Sequence, residues 1–349
     1  TDFKWLQGQM EEGNKLADEL TKKYKHKYGE AMYGWYWVWE VDNIHYLTEN
    51  MQNKFAEILN VNLDYLHRIT PSMPVMLCPF MNYRLGSAEQ YSQMWKQVFS
   101  HAHFNKGDIF APQDCIGAGG LKLDILGHWF SELKKAVDTK PGLLLWSDSE
   151  TFDQRFWTTA PLNRFVNQLK IEQPYVSNII SFAYSHYYSP YKVNKKYHEV
   201  YLHYVRTGVL PISPLKGAVS KLRIQISSNQ NPILTWEAPP DSNEVAGYYV
   251  FRNDTLIANI QQGSKRIHYK TGYYEKTSLP KGIYRYGVCA YSFTGDTTKK
   301  QFVEYKNQDN KKASKLDTDR IPTSDYYFYS DKSLAKDWHR LRLSVNSWT

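Results

Sequence analysis

The sequence predicts an α/β fold: a (β/α)8 TIM-type barrel over residues 1–210, a linker at 211–215 and a β-sandwich over residues 216–305. Three observations lead there. Short apolar runs alternate strictly with amphipathic stretches through the first 210 residues, the pattern of a parallel sheet covered by helices. Each apolar run closes in polar residues, as at Glu40, Asn82, Asp114, Asp148 and His186, and in parallel barrels chemistry sits at the C-terminal strand ends. After Pro211 and Pro214 the helical period gives way to short alternating runs separated by turns, as in a sandwich.

Taken in order, Leu16, Leu20 and Tyr24 recur every four residues before Gly29, so Asn14–Tyr28 reads as an amphipathic helix. Ala31–Trp39 (AMYGWYWVW) has the nearly continuous apolar and aromatic composition of a buried parallel strand, and it ends in Glu40 and Asp42. Thr48–Asn60 reads as helix, and Pro74–Pro79 (PVMLCP) as a strand ending in Met81, Asn82 and Tyr83. Ser87–His101 puts Tyr91, Met94, Trp95 and Val98 on one helical face. Asp108–Ala111 is a short strand leading to Gln113 and Asp114, Leu123–Val137 a helix, and Leu143–Trp146 a strand leading to Asp148 and Glu150. Pro161–Gln168 is helix, Ile179–Tyr184 a strand ending in His186, and Tyr197–Gly208 a final helix.

Five such strands do not close a barrel that needs eight. Taking the last as the eighth makes the first visible one the fourth, and it predicts three further βα units before Thr1. The alternative is an open, doubly wound sheet, but the Gly-rich first turn that accompanies nucleotide binding in such folds is missing here.

In the second part, LTWEAPPD, AGYYVFRND and GIYRYGVCAYSFTG together resemble a fibronectin type III module. The resemblance implies that Trp236 is its core tryptophan and that Tyr286 and Val288 point inward. Further strands are expected at Leu222–Ile226, Thr255–Ile260, Arg266–Tyr269 and Lys300–Tyr305. Residues 306–349 read as a polar linker followed by an aromatic segment, Asp325–Thr349, expected to dock.

Composition narrows the function. The 11 Trp, 28 Tyr and 15 Phe exceed what a core requires, and such rings line clefts where an apolar face meets a polar-edged ligand. A sugar is such a ligand; dense aromatic packing within the strands is the competing use. The net charge of +8 is carried by scattered Lys and Arg, with no zinc-finger or RNA-binding pattern, so nucleic acid is not an expected partner. No apolar stretch approaches the roughly 18–20 residues of a membrane-spanning segment. Cys78, Cys115 and Cys289 lack ligand or redox spacing and are expected to be buried thiols. The sequence has no P-loop, no G-x-S-x-G elbow, no H-E-x-x-H helix and no dinucleotide fingerprint, so neither a cofactor nor a metal is expected.

With the first visible strand numbered four, Glu40 ends strand four and Glu150 ends strand seven. Glycoside hydrolysis needs two carboxyls flanking one bond, one protonated to donate to the leaving oxygen, the other ionised as nucleophile or base. A large clan of barrel glycosidases carries its acid/base on strand four and its nucleophile on strand seven, and this chain resembles that arrangement, with Trp39 where the clan has Asn. The series YGWYWVWEVDN, PFMNYR, APQDCIGAG, LWSDSETF and SFAYSHYYSP resembles more closely a largely uncharacterised family of Bacteroides-type gut-bacterial barrels, in which a fibronectin-like domain often follows. Cys115 stands where that family has Gly. The resemblance implies a glycoside hydrolase acting on an oligosaccharide or polysaccharide, exported to the periplasm or cell surface.

Glu40 is therefore the expected general acid/base, with Trp37 and Trp39 as the apolar neighbours that favour its protonated form. Glu150 is the expected nucleophile or second carboxylate, with Asp148 its rival. Asp114, Asn82, Tyr83, Trp39, Asp148, Tyr184 and His186 are the expected substrate contacts, the last two sharing one face by strand alternation. The competing function is a non-catalytic carbohydrate-binding or surface glycan-assembly protein that keeps the cleft without the reaction.

Overall fold

The computed structural model describes residues 2–227, 231–262, 272–276 and 278–308. The first helix, α1 (Phe3–Leu20), is capped by Asp2, whose side chain accepts from Trp5 N. It begins well before Asn14 because its buried stripe is Leu6, Met10, Asn14 and Ala17; Leu16, taken from the sequence as a marker of the apolar face, is 55% exposed. A π turn (Thr21–Lys25) follows and leads to β1 (Trp35–Trp37), the part of the long aromatic run that finds a parallel partner.

Thr48 caps α2 (Glu49–Ile69), which runs beyond Asn60 because Leu63 and Leu66 continue the stripe of Phe55, Ile58 and Leu59. Then come β2 (Val75–Leu77), α3 (Ala88–His101) behind a Ser87/Gln90 capping box, β3 (Ile109–Phe110) and α4 (Leu123–Val137). Strand β4 (Leu144–Glu150) leads into a hairpin, β5 (Phe152–Asp153) and β6 (Thr158–Thr159). After α5 (Leu162–Glu172) and β7 (Asn178–Phe182), the short helix α6 (Tyr184–Tyr187) precedes α7 (Lys195–Thr207).

Strands β1-β2-β3-β4-β7 form one parallel sheet in that order. Helices α1 to α5 pack each on the next along a single face of it. Their shared core centres on Trp95, whose ring meets Phe55, Tyr91, Phe99 and Phe110 at 4.6–6.3 Å. The other face carries Met76, Cys78, Ile109, Ala111, Leu144, Trp146 and Ile180. A doubly wound sheet covers both faces with helices. One-sided cover and strictly parallel order are those of a half-barrel, so the described residues form a five-strand arc rather than a closed ring of eight.

The second part is a sandwich. A four-stranded sheet, built from β10 (Val245–Arg252), β11 (Thr255–Gln261), β13 (Gly282–Ser292) and β14 (Gln301–Asn307), has the order β11-β10-β13-β14. It faces the three-stranded sheet β12-β9-β8, built from β8 (Ser220–Ile226), β9 (Pro232–Glu237) and β12 (Gly272–Tyr274). Trp236, Tyr248, Val250, Tyr286 and Val288 fill the space between them, with Trp236 edge-on to Tyr248 at 5.3 Å. The strand expected at Arg266–Tyr269 and the segment Asp325–Thr349 lie outside the described residues. A further apolar cluster joins the two parts: Leu162, Phe165, Val166, Tyr188 and Tyr197 pack with Ala246, Tyr291 and Phe293.

Candidate functional site

Side chains alternate along β4. Leu144 and Trp146 lie on the face without helices, so Asp148 and Glu150 face the same way. Ser147 and Ser149 point to the helical side, where Ser149 Oγ donates to Glu172 of α5. In register with this row, Gln113 bridges to Asp148 and Phe182 pairs with Glu150.

Glu150 is buried, at 3% exposure. The loop after β3 folds over it: Ala118 N donates to one of its carboxylate oxygens, Oε2, at 2.6 Å. Gly117 comes so close that a Cβ there would stand 2.4 Å from the Phe152 carbonyl oxygen and 3.0 Å from Glu150 Oε2. Cys115 turns this loop with φ +55°, the left-handed region that Gly favours, and its Sγ accepts from Met81 N at 3.1 Å. Burial, reinforced by the Asp114 and Asp148 carboxylates, pushes the Glu150 carboxyl up to about 8, so it holds a proton at neutral pH. Burial and Asp114 raise Asp148 to about 6.

Asp114, expected from the sequence to contact the sugar, is engaged within the protein. It is fully buried, and its carboxylate is occupied: Oδ1 accepts from Ile116 N at 3.0 Å and Glu150 N at 3.3 Å, and Oδ2 from Gln168 Nε2. Gln168 also donates to the Glu150 carbonyl at 3.0 Å, and Arg164 Nη2 ties the Glu150 and Phe152 carbonyls at 3.0 and 2.7 Å. This lattice fixes the end of β4 from behind. Burial and the Asp114 charge push Glu172 up to about 10, so Glu172 holds a proton at neutral pH. Burial raises Asp114 as well, opposed by the Ile116 N–H and the Gln168 amide that face its carboxylate.

Glu40 is exposed, and it lines one pocket with Trp5, Trp37 and Trp39. Trp37 is buried among the helices, its Nε1 donating to Asn62 Oδ1 at 2.9 Å. Trp39 rests edge-on to Trp5 of α1 at 5.2 Å. Tyr36 and Val38, at 49% and 67% exposure, turn the opposite way, toward the sheet face without helices. There the Tyr36 hydroxyl meets the Cys78 thiol, and Gln113 Nε2 reaches Glu40 Oε1 at 3.3 Å and the Cys78 carbonyl at 3.2 Å. The sheltered, proton-holding carboxyl is thus Glu150, the reverse of the assignment drawn from the sequence.

The remaining expected contacts divide. Asn82 is bound into the loop after β2, its carbonyl accepting from Asn43 Nδ2 at 2.9 Å and its Oδ1 from Arg84 N at 3.0 Å. The Tyr83 ring carries the Arg84 guanidinium at 4.5 Å and the Lys122 ammonium at 5.2 Å. Tyr184 and His186 do not share a strand face, because the strand ends at Phe182 and both sit on α6. Tyr184 turns to α7, its hydroxyl 2.8 Å from His198 Nδ1, whereas His186 is exposed and stacks on Phe182 at 5.8 Å. Gln113, Tyr36, Cys78 and Tyr187 join the site without having been singled out; the first three follow from continuing the Glu40 alternation backwards and across the sheet. Away from the strand ends, Glu89, His128 and Glu132 on α3 and α4 bring possible metal-ligand atoms within 4.8 Å of one another, where His128 Nε2 already pairs with Glu89 Oε1 at 2.9 Å.

A parallel half-barrel with carboxyls gathered at the strand ends and a sandwich behind it defines the class. The chain belongs to the family described as a domain of unknown function, DUF4434, which matches residues 1–194. No curated protein matches it. Among solved structures it is similar to a Bacteroides thetaiotaomicron VPI-5482 protein named as a "putative alpha-L-fucosidase", with 20% identity and a TM-score of 0.47 over 58% of this chain and 62% of that one. It is similar also to a family 28 exopolygalacturonase of Yersinia enterocolitica, with 14% identity and a TM-score of 0.21 over 26% of this chain and 20% of that one. A fibronectin-III-like protein of Clostridium thermocellum aligns with 23% identity and a TM-score of 0.21, over 27% of this chain and 92% of that one. The chain thus spans less than two thirds of the length of the first two. Among the described residues no helix is long and apolar enough to cross a membrane.

Proposed function

We propose that the protein hydrolyses glycosidic bonds of an oligosaccharide or polysaccharide, with Glu150 as the general acid and Glu40 as the second carboxylate. The observation that carries this reading is the contrast between the two groups: a buried, protonated carboxyl at the end of a parallel strand, and a solvent-facing one joined to the same row through Gln113. In the reaction Glu150 gives its proton to the leaving oxygen as the C–O bond breaks, and Glu40 attacks the anomeric carbon or takes a proton from the attacking water. Asp148, raised to about 6, is the alternative second carboxylate. In the same reading the five-strand sheet is an arc of a (β/α)8 barrel, supported by its helices lying on one face, and the protein works in the periplasm or at the cell surface, which fractionation of its native cells tests.

The test is a screen against plant, host and microbial glycans, reading released reducing ends for wild type, Glu150→Gln, Glu40→Gln and Asp148→Asn. Loss of the acid should lower turnover about 10²- to 10⁴-fold on natural glycosides, and much less on aryl glycosides whose leaving group needs no proton. Wild-type rates in both Glu150→Gln and Glu40→Gln would defeat the site. Binding without cleavage across the panel would favour the non-catalytic carbohydrate-binding function.

A further inference from the structure

The hairpin β5–β6, between Glu150 and α5, carries an aromatic cluster to the edge of the candidate site. The Phe152 ring stacks on Trp157 (5.8 Å between centroids, planes 10° apart) and on Tyr187 (5.4 Å, 24°), and it meets Phe182 edge-on at 6.0 Å. Phe182 in turn stacks on His186 at 5.8 Å. Phe152 is buried, but Trp157 and Phe182 are each 49% exposed, so one continuous aromatic surface presents two open rings. It adjoins the acid, because Phe182 is the cross-strand partner of Glu150 and Phe152 follows Glu150 two residues on in the chain.

The platform is held rather than free. Trp157 has φ +50°, a backbone region unfavourable for a bulky side chain and retained only where its surroundings impose it. Asp153 fixes the turn, taking the Arg155 guanidinium at 3.0 and 2.7 Å and Arg155 N at 3.1 Å. Gln154 N donates to the Gly117 carbonyl, in the loop that covers Glu150, at 2.9 Å. From the sandwich, Asn259 Nδ2 donates to Thr158 Oγ1 at 2.8 Å and Gln261 Oε1 accepts from Thr159 N at 2.9 Å.

We propose that Trp157 and Phe182 form a stacking subsite for the sugar units next to the bond being cut, and that β11 of the sandwich holds this subsite in place. An occupant with apolar C–H faces and hydroxyl edges matches open rings bordered by Asp153, Arg155, Ser185 and His186. Two open rings beyond the acid call for a chain of several sugars rather than a single terminal one. The placement beside Glu150 rests on the hydrolase reading; the binding itself does not.

The experiment is native electrophoresis of the full chain through gels containing β-glucan, xylan, galactomannan, pectin or starch, with released reducing ends measured in parallel. Wild type should be retarded by at least one polymer. Trp157→Ala and Phe182→Ala should each weaken apparent affinity roughly three- to tenfold, Trp157→Phe much less, and the Asn259→Ala/Gln261→Ala double variant measurably, with circular dichroism unchanged. Glu150→Gln should be retarded like wild type. Wild type unretarded in every gel, or Trp157→Ala and Phe182→Ala retarded as strongly as wild type, would overturn the subsite. Retardation lost in these two variants with no hydrolysis by wild type would keep the subsite and remove the hydrolase. Hydrolysis abolished by Glu150→Gln, with Trp157→Ala still fully retarded, would do the reverse.

Discussion

A carboxyl that keeps its proton when folded and releases it when unfolded ties stability to pH, and Glu150 does so in a definite direction. Its folded value lies near 8 against an ordinary 4.5, so between these two pH values the native chain binds more protons than the unfolded one. Wild-type stability should therefore fall as pH rises through that window. Glu150→Gln removes this dependence, and its stability relative to wild type should rise from pH 5 to pH 8 by on the order of 3 kcal/mol; thermal melts at three pH values check this, and a constant offset would contradict it. Gly117→Ala should be costly for its size, on the order of 1–3 kcal/mol in urea unfolding, with lower turnover, because the new methyl meets the Phe152 carbonyl and the Glu150 carboxylate. At this scale the carboxyls were legible, since polar residues closing apolar runs mark strand ends. Which side each one faces was not. A one-residue change in the phase of a strand inverts its faces, and a run as uniformly aromatic as Ala31–Trp39 offers no contrast to set that phase.

The strands and helices of the half-barrel were readable because apolar and amphipathic stretches differ in length and period, yet their limits were set by partners. Strand β1 persists only where β2 pairs with it, and α2 continues as long as Leu63 and Leu66 find core. The β5–β6 hairpin gave no signal, since two-residue strands have no period to detect. Arg164 is the clamp of this region, one guanidinium nitrogen serving the carbonyls on both sides of Thr151. Arg164→Met should cost about 2–3 kcal/mol by stranding both acceptors. It should also move the basic limb of the pH–activity profile upward, because the positive charge that lowers Glu150 is gone. An unmoved limb would mean that Glu150 does not set it.

For the whole molecule, the change of pattern after Pro211 revealed two parts but not how tightly they join. Tyr291 and Phe293 read as ordinary sandwich residues, although they pack with Leu162, Phe165 and Tyr197 of the first part. Phe293→Ala should destabilise the chain by roughly 3–5 kcal/mol. Calorimetry should show wild type melting in a single transition, where two independent parts would give two. The peptide between them is by contrast open to solvent, with Val209 61% and Ile212 93% exposed. A protease that nicks this stretch should therefore leave two fragments that still elute together under native conditions and part only in denaturant. Their relative orientation is set by the buried aromatic seam, and the connecting peptide serves chiefly to raise the concentration of one part in the presence of the other.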